Sequence, residues 1–208
     1  MSWQQREMVM VMRNPVLLIH GIDDTDIIFH RMAPYLEQQG WAVHTINLTP
    51  NNGAVGLDIL AKQVAAYIDK NFAPQQKIDL VGFSMGGIIS RYYVQRLGGL
   101  DKVDRLVTIS SPHHGTWAAH IRRNPGGRQM LPQSDFLDDL NLTVMELGRI
   151  HFTSIWTPLD LIIVPASSSQ MPVGHEKKLW IGGHAWMVTD RRCLQAVAES
   201  LSTPLKSA

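Results

Sequence analysis

Val81-Gly82-Phe83-Ser84-Met85-Gly86-Gly87 is the stretch that decides the fold. An apolar run over 78–81 leads into it and apolar residues at helical spacing over 88–93 lead out, which predicts a strand, a sharp turn and a helix. Glycine stands two places to either side of Ser84, because only minimal side chains fit where a strand reverses directly into a helix. Such a turn exposes the serine hydroxyl and sets the N–H of Met85 at a helix N-terminus, where negative charge is stabilised. This geometry favours a serine that attacks a carbonyl carbon.

The composition indicates a compact globular chain. Of its 208 residues, 45% are hydrophobic and 18% are charged, which suits one domain with a sizeable core. The formal net charge of +1 gives no bulk electrostatic attraction to nucleic acid. A single cysteine, Cys193, excludes an internal disulfide framework, and we expect it to be a small buried residue.

No targeting or membrane segment is apparent in the sequence. The first residues lack a cationic start followed by a long apolar stretch, so no signal peptide is predicted. No uncharged apolar run approaches the roughly 18 residues that a membrane span needs. We therefore expect a cytoplasmic protein.

Strand and helix patterns alternate along the chain, which predicts an α/β fold. Strands are predicted at 16–19, 41–46, 77–81, 103–109, 151–156 and 178–181, and helices at 27–39, 57–72, 85–97, 135–147 and 185–201. A mainly parallel sheet of about six strands with helices on both faces follows, and chemistry is expected at the carboxyl ends of the strands. We interpret 1–208 as a single domain in which 116–149 is a cap or lid segment, or else an ordinary crossover packed on the sheet.

A nucleophilic serine needs a general base, and nine histidines are available. His184 follows the last predicted strand in Gly182-Gly183-His184, a flexible turn that could aim the ring at the serine. His20, His113 and His114 also follow strands, but a structural role in their loops is the better interpretation. His184 is the predicted base.

The base needs an orienting acid, and Asp160 lies just past the fifth predicted strand. Asp101 and Asp104 precede a strand and would lie at the wrong end of the sheet. The chain order of serine, aspartate and histidine is the order expected for this kind of turn. The oxyanion hole is assigned to the backbone N–H groups of Met85 and Ile22, the latter in the loop after the first strand.

Taken together, five stretches resemble α/β-hydrolases of the small bacterial lipase and esterase kind. The resemblance implies hydrolysis of carboxylic esters, often with fatty acyl chains, without a cofactor, and a structural role for the loop at 111–116. One departure is the acidic run after Gly21, where related enzymes often carry smaller or apolar residues. We expect Asp23 and Asp24 to face solvent or to hydrogen-bond locally. The matching stretches are Leu18-Ile19-His20-Gly21-Ile22, Gly82-Phe83-Ser84-Met85-Gly86-Gly87, Ser111-Pro112-His113-His114-Gly115-Thr116, Thr157-Pro158-Leu159-Asp160 and Gly183-His184.

The interpretation is a serine hydrolase acting on an ester or lipid substrate, with no metal ion, cofactor or nucleic-acid partner expected. Several alternatives stay open: an acyltransferase, thioesterase or peptidase with the same triad, a non-catalytic binding protein of the same fold, and a Gly-x-Ser-x-Gly turn that only packs. Transient contact with a membrane surface and the oligomeric state are also open. Residues expected to line an acyl pocket are Trp117, Ile121, Met130, Leu131, Phe136, Leu137 and Leu140.

Overall fold

The computed structural model describes residues 13–205, which form a six-stranded parallel sheet with helices on both faces. The strand order is β2-β1-β3-β4-β5-β6. The strands are β1 (Val16–Ile19), β2 (Val43–Ile46), β3 (Ile78–Phe83), β4 (Val103–Ile109), β5 (His151–Trp156) and β6 (His175–Lys178). The α-helices are α1 (Met32–Gln38), α2 (Leu57–Asn71), α3 (Met85–Arg96), α4 (Pro125–Gln129), α5 (Asp135–Leu142) and α6 (Arg191–Leu201).

Each face of the sheet has its own hydrophobic core. Side chains alternate along a strand, so Leu17 and Ile19 of β1 pack with α2 and α3, while Val16 and Leu18 pack with α1 and α6 on the opposite face. All four of these side chains are fully buried. Burial of an aliphatic side chain of this size stabilises the fold by about 1.5–3 kcal/mol, so a near-continuous apolar strand is the signature of a sheet covered on both sides.

The sixth strand was predicted at the wrong place. The sequence suggested 178–181, but the strand is His175–Lys178, paired with β5 from Thr153↔His175 to Trp156↔Lys178. It is an edge strand whose side chains are polar and largely exposed, so it lacks the apolar signal used for prediction. The apolar residues after it leave the sheet, and Ile181 packs with α1 and α6 instead.

Three predicted helices are shorter than their apolar patterns. The 27–39 and 185–201 patterns each divide into a short 3-10 turn, Asp26–Phe29 or Ala185–Val188, followed by the α-helix. The 135–147 pattern ends as an α-helix at Leu142 and continues as a 3-10 turn, Val144–Arg149. An α-helix and a 3-10 helix place apolar side chains at similar sequence spacing, so periodicity alone does not distinguish one from the other. Ser134 caps α5 as predicted, because its hydroxyl accepts a hydrogen bond from Leu137 N–H at 3.3 Å.

Among residues 13–205, no helix combines the length and apolar character required to cross a bilayer.

Candidate active site

The serine turn between β3 and α3 has the strained backbone that its sequence suggests. Ser84 adopts φ 54° and ψ −122°, and its N–H donates to the Ile109 carbonyl oxygen of β4 at 2.8 Å. A non-glycine residue at positive φ costs about 1–3 kcal/mol, and such strain is concentrated at functional sites. Glycine is required nearby: a Cβ on Gly82 would lie 2.5 Å from Gly87 Cα, and one on Gly86 would clash with the Ile19 carbonyl. Close packing of the turn therefore holds the serine in this conformation.

His184 and Asp160 form a short hydrogen bond at the same edge of the sheet. The distance from His184 Nδ1 to Asp160 Oδ2 is 2.7 Å, and both side chains are largely buried. Asp160 Oδ1 also accepts hydrogen bonds from the N–H groups of Ile162 and Ile163, each at 2.9 Å. Burial by itself would raise the pKa of Asp160, but the hydrogen bond and charge of His184 and the two backbone donors together lower the pKa below its ordinary value. The carboxylate is therefore held ionised beside the imidazole.

The His184 ring lies against the residue that precedes the serine. Its centroid is 4.8 Å from that of Phe83, with an angle of 37° between the rings. His184 Nδ1 binds Asp160, which leaves Nε2 as the nitrogen available to a hydroxyl, but no hydrogen bond joins this ring and Ser84 Oγ. Hydrogen bonds of this kind are often long without substrate and tighten when it binds. The structure thus brings the three side chains to one edge of the sheet, with the histidine–aspartate pair already formed.

Two backbone N–H groups beside Ser84 suit an oxyanion. Met85 is the first residue of α3, so its N–H has no carbonyl of a preceding helical turn to bind. Ile22 lies in the loop after β1 and lines the same cavity as Ser84, and its N–H donates to no residue within 13–205. Both donors are positioned by backbone rather than by side chains, which is typical of an oxyanion hole.

His20 has a structural role in this loop. Its ring is fully buried, and Nε2 accepts a hydrogen bond from Leu48 N–H at 3.0 Å. Nδ1 must then carry the proton and donate to the Gly21 carbonyl oxygen at 2.8 Å. The ring therefore joins the loops after β1 and β2, and no nitrogen is left for proton transfer.

His113 and His114 also have structural surroundings. His113 is fully buried, with Nδ1 accepting from Arg91 at 3.3 Å and Nε2 donating to Thr108 Oγ1 at 3.0 Å. Burial, and then the charge of Arg91, lower the pKa of His113 well below its ordinary value, so the ring stays neutral. His114 binds Ser168 through its backbone N–H. These hydrogen bonds to Arg91, Thr108 and Ser168 hold the loop at 111–116 in place.

The acidic run behaves as expected at Asp23 but not at Asp24. Asp23 is exposed and forms an ion pair with Arg122. The Asp24 side chain is half-buried and turned toward the nucleophile: a Cβ on Gly21 would lie 3.0 Å from Asp24 Oδ2 and 3.1 Å from Ser84 Cβ. No residue within 13–205 donates a hydrogen bond to this carboxylate, and burial raises its pKa. The prediction of a solvent-facing or locally bonded Asp24 was therefore wrong.

An apolar cavity of about 480 Å³ opens beside Ser84. Of the seven residues expected to line it, only Ile121 and Met130 do so. Leu137 and Leu140 of α5 are fully buried in the hydrophobic core, so their apolar spacing reflects packing of the helix on that core and not the lining of a pocket. The full lining is Ile22, Ser84, Pro112, Thr116, Ala118, Ala119, Ile121, Arg122, Met130, Ile162 and Ile163.

Ile162 and Ile163 are the lining residues that sequence reasoning missed most plainly. They follow Asp160 in the apolar run Leu161-Ile162-Ile163-Val164. An apolar run directly after a candidate catalytic acid, outside any predicted strand or helix, could have indicated that these residues line the cavity. The backbone N–H groups of both isoleucines bind the Asp160 carboxylate, and both residues line the cavity. The same short loop therefore orients the acid and forms part of the cavity wall.

Comparisons with known proteins identify the family of this chain. A family model described as palmitoyl protein thioesterase matches residues 15–146. A triacylglycerol lipase from Pseudarthrobacter phenanthrenivorans is 32% identical over 113 residues, which are 50% of this chain and 34% of that protein. One from Burkholderia plantarii is equally similar over 31% of its length, so the chain spans about a third of the length of the curated relatives it matches.

Solved structures with low sequence identity share the fold. Lipase B from Aspergillus fumigatus superposes with a TM-score of 0.81 at 18% identity, covering 94% of this chain and 54% of that one. Bacillus licheniformis lipase BlEst2 superposes with a TM-score of 0.69 at 16% identity, covering 91% and 92%. The predicted α/β-hydrolase fold and the resemblance to lipases and esterases are confirmed. Because the family model matches more than half of the chain, this protein belongs to the palmitoyl protein thioesterase family.

Proposed function

We propose that this protein is a serine hydrolase that cleaves carboxylic esters of acyl lipids through an acyl-enzyme intermediate. The observation that carries the proposal is the 2.7 Å hydrogen bond between His184 and Asp160 at the edge of the sheet where Ser84 opens into an apolar cavity. A buried carboxylate that fixes the tautomer of an imidazole beside a strained serine is the arrangement that general-base activation of a hydroxyl requires.

The reaction begins when Ser84 Oγ attacks the ester carbonyl carbon and His184 Nε2 takes the hydroxyl proton. The N–H groups of Ile22 and Met85 hold the oxyanion of the tetrahedral intermediate. His184 then gives its proton to the departing alcohol, and an acyl group stays on Ser84. Water repeats the same steps and releases the acid. Asp160 remains ionised throughout and stabilises the imidazolium.

The acyl group is assigned to the cavity lined by Ile121, Met130, Ile162 and Ile163. These side chains offer apolar surface, and transfer of a chain methylene from water to such surface is favourable by about 0.8 kcal/mol. The only charged lining residue is Arg122, whose guanidinium is paired with Asp23. A neutral, apolar acyl chain therefore suits the cavity better than a charged one.

The segment 116–149 is proposed to be a fixed wall rather than a mobile lid. Thr116 Oγ1 donates to the Ile162 carbonyl at 2.7 Å, at one end of the cavity. Gly126 N–H donates to the Gly53 carbonyl at 2.9 Å, and the close approach of these two glycines leaves no room for a side chain. These bonds join the wall to loops of the main domain, so we expect the rate to rise smoothly through the solubility limit of a short-chain ester. An abrupt increase at that limit would indicate opening.

A buried guanidinium joins the same wall to the nucleophile helix. Arg91 of α3 is fully buried and has no acidic partner among residues 13–205. It donates to Gln95 Oε1 at 3.1 Å, to Asn141 Oδ1 at 2.9 Å and to the Leu140 carbonyl at 3.3 Å, in addition to His113. Burial, and then Arg96, lower its pKa to about 9, which leaves the group charged at neutral pH.

Thioester cleavage is the second candidate, and the family match over 15–146 favours it. The same Ser84 attack on a thioester carbonyl would release a thiol in place of an alcohol. A matched pair of octanoyl esters, one with an oxygen and one with a sulfur leaving atom, separates the two activities. A thioester preference greater than the intrinsic reactivity difference, measured with hydroxide, would make the thioester the preferred substrate.

The deciding experiment measures turnover of a p-nitrophenyl ester and labelling by a fluorophosphonate probe. Ser84→Ala should lose both, with a fall in kcat of at least about 10⁴-fold, because nothing else supplies the attacking atom. Ser202→Ala, at the C-terminal end of α6, is the matched control and should retain both. Near-normal turnover in Ser84→Ala would remove the proposal, while labelling without turnover would favour acyl transfer or binding. A cytoplasmic location is also proposed, and cell fractionation tests it.

A further inference from the structure

The Asp24 carboxylate is next to the nucleophile but outside the acyl cavity. A Cβ placed on Gly21 would lie 3.0 Å from Asp24 Oδ2 and 3.1 Å from Ser84 Cβ, so these two atoms are at most about 6 Å apart. Asp24 does not line the cavity that Ile22 and Ser84 share. An acyl chain in that cavity would therefore extend away from Asp24.

The charged surroundings of Asp24 place it on the side of the proton donor. A Cβ on Gly21 would lie 3.4 Å from the Phe83 ring, and the His184 ring packs on Phe83 with the ring centroids 4.8 Å apart. The charges that act on Asp24 are those of His20, His184 and Asp23. Both ring nitrogens of His20 bind Gly21 and Leu48, and Arg122, the nearby cation, is paired with Asp23, so neither side chain pairs with Asp24. His184 must stand next to the leaving oxygen, because it protonates that atom. The alcohol part of an ester is thus the part that comes near Asp24.

We propose that Asp24 is a specificity-determining residue that selects esters whose alcohol carries a positive charge, such as amino-alcohol or quaternary-ammonium esters. The inference rests on the proposed ester hydrolysis at Ser84. A half-buried carboxylate without a hydrogen-bond donor is stabilised by a nearby cation, and the bound alcohol can supply one. An alcohol with a negative charge would be repelled at the same position.

The test compares two esters of the same short fatty acid that differ only in charge. One is the choline ester, and the other is the 3,3-dimethylbutyl ester, in which a quaternary carbon replaces the quaternary nitrogen. The measured quantity is the ratio of kcat/KM for the cationic ester to that for the neutral ester, divided by the same ratio for hydrolysis by hydroxide, because the ammonium group makes choline the better leaving group. Burial raises the pKa of Asp24, so an assay at about pH 8 keeps the carboxylate charged.

For the wild type, we expect a ratio of about 5–10 at low ionic strength, from a charge pair separated by a few ångströms near the surface. The ratio should fall toward about 2 in about 0.5 M salt, where the Debye length is only a few ångströms. Asp24→Asn should bring it close to 1 at both salt concentrations. Glu37→Gln is the matched control, because it removes the same charge from an exposed position in α1 and should keep the wild-type ratio.

Each outcome bears on one of the two proposals. A wild-type ratio at or below 1, or an unchanged ratio in Asp24→Asn, would overturn the inference while ester hydrolysis stands. Cleavage of neither ester would remove the reaction itself and both proposals with it. The wild-type salt series needs no variant, so a ratio that does not fall with salt would overturn the inference even if Asp24→Asn does not fold.

Discussion

Two buried aspartates lie at opposite ends of the same sheet, and their pKa values are shifted in opposite directions. Asp160, after β5, has a lowered pKa, whereas the pKa of Asp79, near the start of β3, is raised to about 6. Asp79 is fully buried, and its desolvation outweighs the donors that reach it, Asn14 Nδ2 at 3.0 Å and Arg105 Nη1 at 3.2 Å. Asp104 nearby raises the pKa further.

The difference shows that the donors around a carboxylate, and not burial alone, decide whether it can serve an imidazole. At Asp160 two backbone N–H groups of one tight loop bind one oxygen and His184 binds the other. At Asp79 the guanidinium of Arg105 is shared with the Thr203 carbonyl. Asp160 is therefore held ionised beside an imidazole, whereas Asp79 shares its donor with the backbone of the C-terminal segment.

The largest expected effect is on kcat and tests Asp160, at the edge of the sheet where Ser84 lies. Asp160→Asn should lower kcat by about 10⁴-fold, since an amide cannot fix the same imidazole tautomer or stabilise its cation; the equivalent change in a known serine protease has that size. The measurement is p-nitrophenyl ester turnover. Asp79→Asn is the control at the other end and should change kcat by less than about threefold. Similar losses in both variants would mean that the two ends do not differ in function.

The next effect compares the two ends of α3. Gly86→Ala should abolish folding or destabilise the fold by about 4 kcal/mol or more, because the added Cβ would meet the carbonyl oxygens of Ile19, which ends β1, and of His20, which follows it. Gly98, at the far end, has φ +81° and open space around it, so Gly98→Ala should cost only about 1 kcal/mol of backbone strain. Urea unfolding measures both. Equal costs would contradict the close packing of the serine turn.

A smaller effect is the pH dependence of stability, which should differ in sign between Asp79 and Asp160. Because the folded-state pKa of Asp79 lies above the ordinary value of 3.8, the folded protein binds its proton first, and stability rises as pH falls from about 7 toward 4. Relative to Asp79→Asn, the wild type should gain up to about 2 kcal/mol over that range. Asp160 has a lowered pKa, so its contribution is present above the ordinary value and is lost as pH falls through the lowered one. Urea titrations at several pH values should therefore give opposite slopes for the two variants.

The smallest effect concerns strain near the catalytic edge. Ser110 follows β4 with φ 45°, is fully buried, and its hydroxyl has no hydrogen-bond partner among residues 13–205. Ser110→Gly removes both the strain and the unsatisfied hydroxyl, and should stabilise the protein by about 1 kcal/mol. A raised thermal midpoint with retained ester turnover is the expected result. A lowered midpoint would show that the hydroxyl has a use in the fold.

Much of the fold was predictable because its signals are local. The apolar runs of β1, β3 and β4 and the glycine spacing around Ser84 depend on neighbours in sequence, and the structure follows them. The edge strand β6 was misplaced because exposure on an edge removes the apolar pattern.

The side-chain environment was less accessible to prediction. Asp24 was expected to face solvent or to hydrogen-bond locally, but its carboxylate lies near Ser84, which is 60 positions away in the sequence. Leu137 and Leu140 were assigned to a pocket because apolar spacing does not distinguish a cavity wall from a helix packed on a core. Whether Ser84, Asp160 and His184 act together stays a prediction for the kinetic variants to test.

The hydrogen bonds of Arg91 have a consequence for engineering. One guanidinium belongs to the helix that starts at the nucleophile and also binds Leu140 and Asn141 in the segment that walls the cavity. Gln95 of the same helix also donates to the Leu140 carbonyl, at 2.8 Å, so we expect remodelling of that wall for longer or branched chains to affect the serine through these two side chains. Chain-length preference and turnover will therefore change together, and a library that varies the wall should vary residues 91 and 95 with it.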